Sequence, residues 1–259
     1  MKITFIGAGN VAWHLAKRLH KKGFSIIQIF SRDIQNALAI TKKTGGQAVN
    51  NLEVITPEAD LYILAVKDDI IGKIAQLLTE QPFFSSKLVV HTSGAVSMDI
   101  LAPYFEQYGV FYPLQTLTKG RKVKFSKIPL CINTNSEHSK KTLLEIGKKI
   151  SKKVGLVSDE ERAVLHIAAV FTNNFANHLF YIGHQILEKE QIDFSYLYPL
   201  LEETVYKVKD KSPYEMQTGP AKRGDQATIT KHLAYLSKFP EYSNLYELLT
   251  KSITNAYRR

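Results

Sequence analysis

Cysteine is nearly absent: Cys131 is the only one among 259 residues. That excludes an intrachain disulfide and a cysteine-built zinc site, and it suits a reducing cytoplasm. Long apolar runs are missing too. The longest, 61–66 and 163–171, fall well short of the roughly 18 residues a membrane helix needs. The apolar stretch 3–6 is too short for a secretion signal. There is no internal repeat and no low-complexity segment. His178 and His184 do not share a helix face, and no ligand cluster points to a metal. Acid is scarcer than base: 24 Asp and Glu stand against 34 Lys and Arg, a net charge of +10. Such a surplus attracts anions in general. The basic run 119–127 has little aromatic interleaving and lies in no nucleic-acid motif. It reads as a solvated loop, with an anion-attracting rim to a ligand cleft as the minor alternative. Neither nucleic acid nor membrane is expected as a partner.

What is present is ordinary globular composition, 44% hydrophobic and 22% charged. At roughly 150 residues per domain, the length fits one large or two modest domains. The first half alternates short β-branched runs with amphipathic stretches. Strands are expected at 2–6, 25–30, 61–65, 88–91, 109–111 and 130–133, and helices at 11–22 and 70–79. That alternation implies βαβ units and a parallel sheet. Nearly all-apolar strands imply a sheet covered on both faces. After Val157 no strand is expected. Ser158 and Glu161 have capping-box spacing, opening a helix to about Glu190. Further helices are expected at 196–211, 225–236 and 243–256. The fold class is α/β, a Rossmann-like doubly wound parallel sheet followed by an all-α C-terminal domain, with domains 1–157 and 158–259.

The most informative motif is Gly7-Ala8-Gly9-Asn10-Val11-Ala12. It follows an apolar strand and opens an amphipathic helix, the setting of a dinucleotide fingerprint. Gly7 permits the tight turn, Gly9 lets a pyrophosphate approach the backbone, and Ala12 still allows close helix packing. The phosphates would sit on free N–H groups of the helix N-terminus. A ligand-free glycine turn is the plain alternative. The second strand ends Ser31-Arg32-Asp33. Ser31 and Arg32 suit a 2′-phosphate, so NADP(H) is favoured over NAD. Asp33 falls past the strand and is read as a helix cap. Ala65, Val66 and Lys67 end another strand at the cofactor side, and Asp68 or Asp69 is expected to cap the next helix.

Candidate substrate groups follow at other strand ends. His91, Thr92 and Ser93 can bind a carboxylate or carbonyl, or simply build a polar turn. Tyr112 to Thr116 either closes the same cleft or ends its strand at a proline. In the helical half, positions 166, 170, 173, 174 and 177 fall near one helix face. A buried amide there needs a partner or a ligand. Gly219-Pro220 breaks a segment, Arg223 lies in the loop beyond it, and Asp225 can cap the next helix.

These motifs together carry a resemblance. Gly7 to Val11 and Ser31-Arg32 resemble the NADP-binding domain of the pyrroline-5-carboxylate reductase and deazaflavin-dependent NADP oxidoreductase group. With His91 to Gly94, Tyr112 to Gln115, the helix from His166 to Asn177, and Gly219 to Asp225, nearly the whole chain is similar to one family. Its members are bacterial oxidoreductases with a Rossmann-like domain and an uncharacterised helical C-terminal domain. The resemblance implies a helix lining the active site, as in hydroxyacid reductases of the 6-phosphogluconate dehydrogenase type and in ketopantoate reductases. Those relatives often carry Lys four residues before Asn. Here Val170 precedes Asn174, so the lysine is missing.

The expectation is an NADPH-dependent reductase of a small carbonyl or imine compound, a 2-keto acid or a ketopantoate-like substrate. Hydride transfer is expected in the interdomain cleft. His166 is the expected acid, Asn174 orients the carbonyl, and Ser93, His91 and Thr92 hold the substrate. Asn177, Arg223 and Asp225 complete the substrate set. The C-terminal helices are expected to form a homodimer. The missing lysine motivates the alternative, a non-catalytic NADP(H)-binding sensor or scaffold.

Overall fold

A computed structural model describes residues 1–258. The chain forms two compact units, the first Met1–Asn173 and the second from Asn174 on.

The first unit is an eight-stranded sheet flanked by helices. In chain order it runs β1 (Lys2–Ile6), α1 (Asn10–Lys21), β2 (Ser25–Phe30), α2 (Ile34–Thr44), β3 (Gln47–Val49), β4 (Leu61–Leu64), α3 (Ile71–Leu78), β5 (Leu88–His91), β6 (Gln107–Pro113), β7 (Leu130–Thr134), α4 (Glu137–Ile150), β8 (Val154–Leu156) and α5 (Asp159–Ala169). The strand order is β3-β2-β1-β4-β5-β6-β7-β8. Strand order reverses at β1, whose neighbours are β2 and β4. A doubly wound sheet binds ligands at the carboxyl end of such a switch point. All pairs are parallel except β6 with β7. That one antiparallel pair departs from the expected all-parallel sheet.

The strands are apolar because both faces are covered. Along β4, Leu61 and Ile63 enter one core with Leu15, Ile29 and Phe111. Tyr62 and Leu64 enter the other with Ile71, Ala75 and Leu78. β3 and β8 were not expected from the sequence. Each has three residues, too few to show an alternating pattern.

The capping box predicted at Ser158 and Glu161 is formed and starts α5. The helix does not continue regularly. Val170–Phe175 is a π-helix, and α6 (Ala176–Lys189) follows. The second unit continues with α7 (Tyr198–Asp210), α8 (Pro213–Met216), α9 (Pro220–Arg223), α10 (Gln226–Leu236) and α11 (Pro240–Tyr257). Among the described residues, no helix is long and apolar enough to cross a membrane.

Candidate active site

The glycine turn joins β1 to α1. Gly7 has φ +110°, and a Cβ there would lie 2.3 Å from the Ala65 carbonyl oxygen. Only glycine satisfies both constraints. The Gly7 N–H donates to the Phe30 carbonyl at 2.9 Å. Gly9 is the N-cap of α1, with no side-chain cap and no acidic residue in the first turn. A Cβ on Gly9 would meet nothing within 4 Å. The N-terminus of α1 is therefore open at Gly9, and its first N–H groups have no intrahelical acceptor. Those are the requirements for a pyrophosphate, so the residues present fit a dinucleotide.

At the end of β2, Ser31 is half-buried and Arg32 exposed. Asp33 caps α2: its carboxylate accepts from the Gln35 N–H at 3.0 Å and from Asn36 Nδ2 at 2.8 Å. The acid is committed to the helix cap, while Ser31 and Arg32 stand beside it at the strand end. Ala65 is buried beneath Gly7, Val66 is half-buried beside it, and Lys67 is exposed. Neither Asp68 nor Asp69 caps α3, contrary to the sequence expectation. A 3₁₀ turn at Asp68–Ile70 runs straight into the helix, so the cap position falls on Ile70.

The end of β5 is a tightly bonded turn. His91 is fully buried. Its Nδ1 accepts from the Ser93 N–H at 3.2 Å, and its Nε2 lies 3.3 Å from the Ser97 carbonyl. That pairing defines a neutral ring with the proton on Nε2. Burial, and then the Arg162 charge, push the imidazole down to about 4. Ser93 Oγ accepts from the N–H groups of Ala95 and Val96, both at 3.1 Å. Thr92 Oγ1 donates to the Leu64 carbonyl at 3.5 Å. All three side chains build the turn.

α5 is fastened to that turn by a pair of charges. Arg162, 1% exposed, donates from Nη1 to Asp159 Oδ1 at 2.6 Å and from Nη2 to the Val96 carbonyl. Asp159 also accepts from the Met98 N–H at 2.6 Å and from Asn133 Nδ2 at 2.8 Å. Partial burial would raise the Asp159 carboxyl. Bonds from Ser97, Arg162, Asn133 and Met98 outweigh it and hold the group at about 2.

One turn further along α5 comes His166. The Tyr112 hydroxyl lies 3.4 Å from its Nδ1, and the rings meet edge to face. On β6, Val110 pairs with His91, so Tyr112 stands past the end of β5, at the carboxyl edge of the sheet. Gly94 makes room for both rings. A Cβ on it would lie 2.6 Å from His166 Nδ1 and 2.7 Å from Tyr112 Cζ. The arrangement presents an imidazole and a phenol, two proton-bearing groups, at the carboxyl edge of a dinucleotide-type sheet.

The sequence reading missed the Asp159–Arg162 pair. One signal was there: Arg162 precedes His166 by one helical turn, so the two share a face.

The remaining predicted residues belong to the second unit. Asn174 lies in the π-helix and Asn177 in the first turn of α6, both exposed. The expected single stripe from 166 to 177 assumed regular α geometry. A π turn closes i→i+5 bonds and inserts an extra residue, so that spacing does not apply. Arg223 is the last residue of α9, not a loop residue. Asp225 caps α10, accepting from the Thr228 N–H at 3.0 Å and its Oγ1 at 2.8 Å. Among the described residues, no group of His, Cys, Asp and Glu is arranged to hold a metal.

Comparison with known proteins gives two family matches. Residues 2–94 match the family described as NADP oxidoreductase, coenzyme F420-dependent, and residues 128–253 match a domain of unknown function, DUF2520. A solved structure from Bacteroides fragilis, described as a "putative NADP oxidoreductase", is 38% identical with a TM-score of 0.93, over 98% of each chain. Pyrroline carboxylate reductase of Plasmodium falciparum, solved with NADP, shares 16% identity at a TM-score of 0.59, over 100% of this chain and 98% of that one. An imine reductase of Myxococcus stipitatus, in complex with NADP+, shares 14% identity at 0.68, over 99% and 94%. The last two likenesses concern the fold alone. No curated protein matches the chain by sequence.

Proposed function

Because the chain belongs to the family of NADP oxidoreductases that join this N-terminal domain to DUF2520, we propose that it reduces a small carbonyl or imine compound with NADPH. The Tyr112–His166 pair beside Gly94 carries this reading. Gly7, Ala8, Gly9, Asn10 and Val11 would hold the pyrophosphate. Ser31 and Arg32 would hold the adenosine end, and Ala65, Val66 and Lys67 would border the dinucleotide.

Bound NADPH supplies the hydride. Reduction builds negative charge on the substrate oxygen or nitrogen, and a positioned donor offsets it. His166 is that donor. As an imidazolium, His166 would pass its Nε2 proton to the substrate and be left neutral, with Nδ1 held against the Tyr112 hydroxyl; solvent would restore the proton before the next turnover. His91, Thr92 and Ser93 hold the turn that positions Gly94.

Substrates from three classes test the reading: 2-keto acids, ketopantoate and cyclic imines, each assayed by the loss of NADPH absorbance. Turnover of one class, lowered about 100-fold or more in His166→Ala, is expected. Val170, where related reductases carry lysine, favours a second reading, a sensor that binds NADPH without catalysis. Tight binding with silence across the panel would select it.

We also infer a homodimer. Among the described residues from 174 on, the buried apolar side chains are Ile182, Ala221, Ile229 and Leu236, a small core for a helical unit. Tyr196, Leu200, Tyr206, Tyr214 and Leu248 are each more than half exposed. An apolar surface of that kind marks an interaction site. Light scattering giving twice the chain mass supports this; a monomer opposes it.

A further inference from the structure

The basic loop between β6 and β7 is not free-standing. Leu117 is buried in the sheet core. His14 Nε2, on α1, lies 2.9 Å from the Thr118 carbonyl. The Lys119 N–H donates to Asn10 Oδ1 at 2.9 Å. These contacts fix the loop along the first turns of α1, at the residue that follows Gly9.

From that anchor Lys119 reaches the neighbouring helix. Its Nζ donates to Asn36 Oδ1 at 3.2 Å and lies 5.2 Å from the Trp13 ring centroid. Asn36 stands in the first turn of α2, where its amide donates to the Asp33 cap. One lysine thus bridges the glycine turn and the turn after Ser31-Arg32. An ammonium has three donors, and only one is needed for Asn36. Lys119 is exposed. The Asp33 carboxylate would repel a phosphate at this end of β2, and a cation one amide away offsets that charge.

We infer that Lys119 is a cofactor-specificity residue: its ammonium, held by Asn36, completes with Ser31 and Arg32 a cradle for the 2′-phosphate of NADP(H). The inference rests on the dinucleotide reading above. A residue that only tethered the loop would affect NADPH and NADH alike. A 2′-phosphate ligand affects NADPH alone.

The test is equilibrium binding to the full chain, by calorimetry, of NADPH, NADH, 2′-AMP and 5′-AMP. Wild type is compared with Lys119→Gln, Lys119→Arg and Lys122→Gln. Lys122 lies on the same loop and is exposed, so it controls for general charge. Lys119→Gln is expected to weaken NADPH and 2′-AMP about tenfold, to leave NADH and 5′-AMP nearly unchanged, and to recover largely as arginine. Far-ultraviolet circular dichroism and the melting temperature check that the variants keep the fold. Equal losses in Lys119→Gln and Lys122→Gln would overturn the inference. So would a loss of 5′-AMP rather than 2′-AMP affinity, or unaltered NADPH binding in Lys119→Gln. In that last case wild-type NADPH affinity would leave the dinucleotide reading standing. A wild type that bound no dinucleotide would remove both.

Discussion

Tyr112 and His166, 54 residues apart in sequence, share a contact of 3.4 Å between the phenol oxygen and Nδ1. A strand end and a helix turn come together there because Gly94, between them, has no side chain. If this pair delivers the proton, His166→Ala should lower kcat by about 100-fold or more, and Tyr112→Phe by about tenfold. Gly94→Ala should disturb both rings and lower kcat with little change in NADPH affinity. Steady-state kinetics on the substrate found in the panel would check all three. Unchanged kcat in His166→Ala would remove the assignment.

The two glycines of the turn should respond differently. Gly7→Ala meets a carbonyl at 2.3 Å and a positive φ, so it should unfold the turn and lower Tm. Gly9→Ala meets no protein atom within 4 Å. It should leave Tm nearly unchanged while weakening NADPH by about tenfold or more, because the methyl occupies the approach of the pyrophosphate. Paired melting curves and binding titrations separate the two effects.

Buried His91 predicts a pH dependence. Its folded value, about 4, lies below its ordinary 6.5, so the unfolded chain binds the proton more readily. The stability this neutral ring confers is complete above about pH 6.5 and is lost as pH falls towards 4. The loss amounts to about 3 kcal/mol. Urea unfolding across that window should show the slope, and His91→Asn should flatten it. An equal slope in the variant would assign it to other groups.

Arg162 predicts a stability cost. Removing one partner of a buried ion pair strands the other. Arg162→Ala should destabilise the first unit by about 3 kcal/mol. It should also lower kcat, since α5 carries His166. Denaturant midpoints measure the first effect, and a change below about 1 kcal/mol would contradict it.

Much of this was legible in the residues. The run Gly7 to Ala12 declared its turn because glycine spacing is dictated by backbone sterics, and Asp33 declared its cap by position. Local rules suffice for both. β3 and β8 stayed hidden because a three-residue edge strand has no periodicity to read. The π-helix at Val170–Phe175 left no pattern either, and it broke a stripe deduced from regular α geometry. Arg162 was invisible as a core residue because a charged side chain is buried only when long-range partners exist. Asp159 is a local neighbour, but the distant groups that complete the site, Val96 on Arg162 and Met98 and Asn133 on Asp159, are identified by the fold alone. Lys119 looked like one cation of a solvated run, and only its contacts with Asn10 and Asn36 distinguish it.

The most direct measurement is a calorimetric titration of the purified full chain with NADPH. One saturable site per chain, weakened about tenfold or more by Gly9→Ala and weakened also by Arg32→Ala, is the predicted result. No heat with NADPH at any concentration up to millimolar would contradict a dinucleotide on the Gly7–Gly9 turn, and with it the proposed reduction.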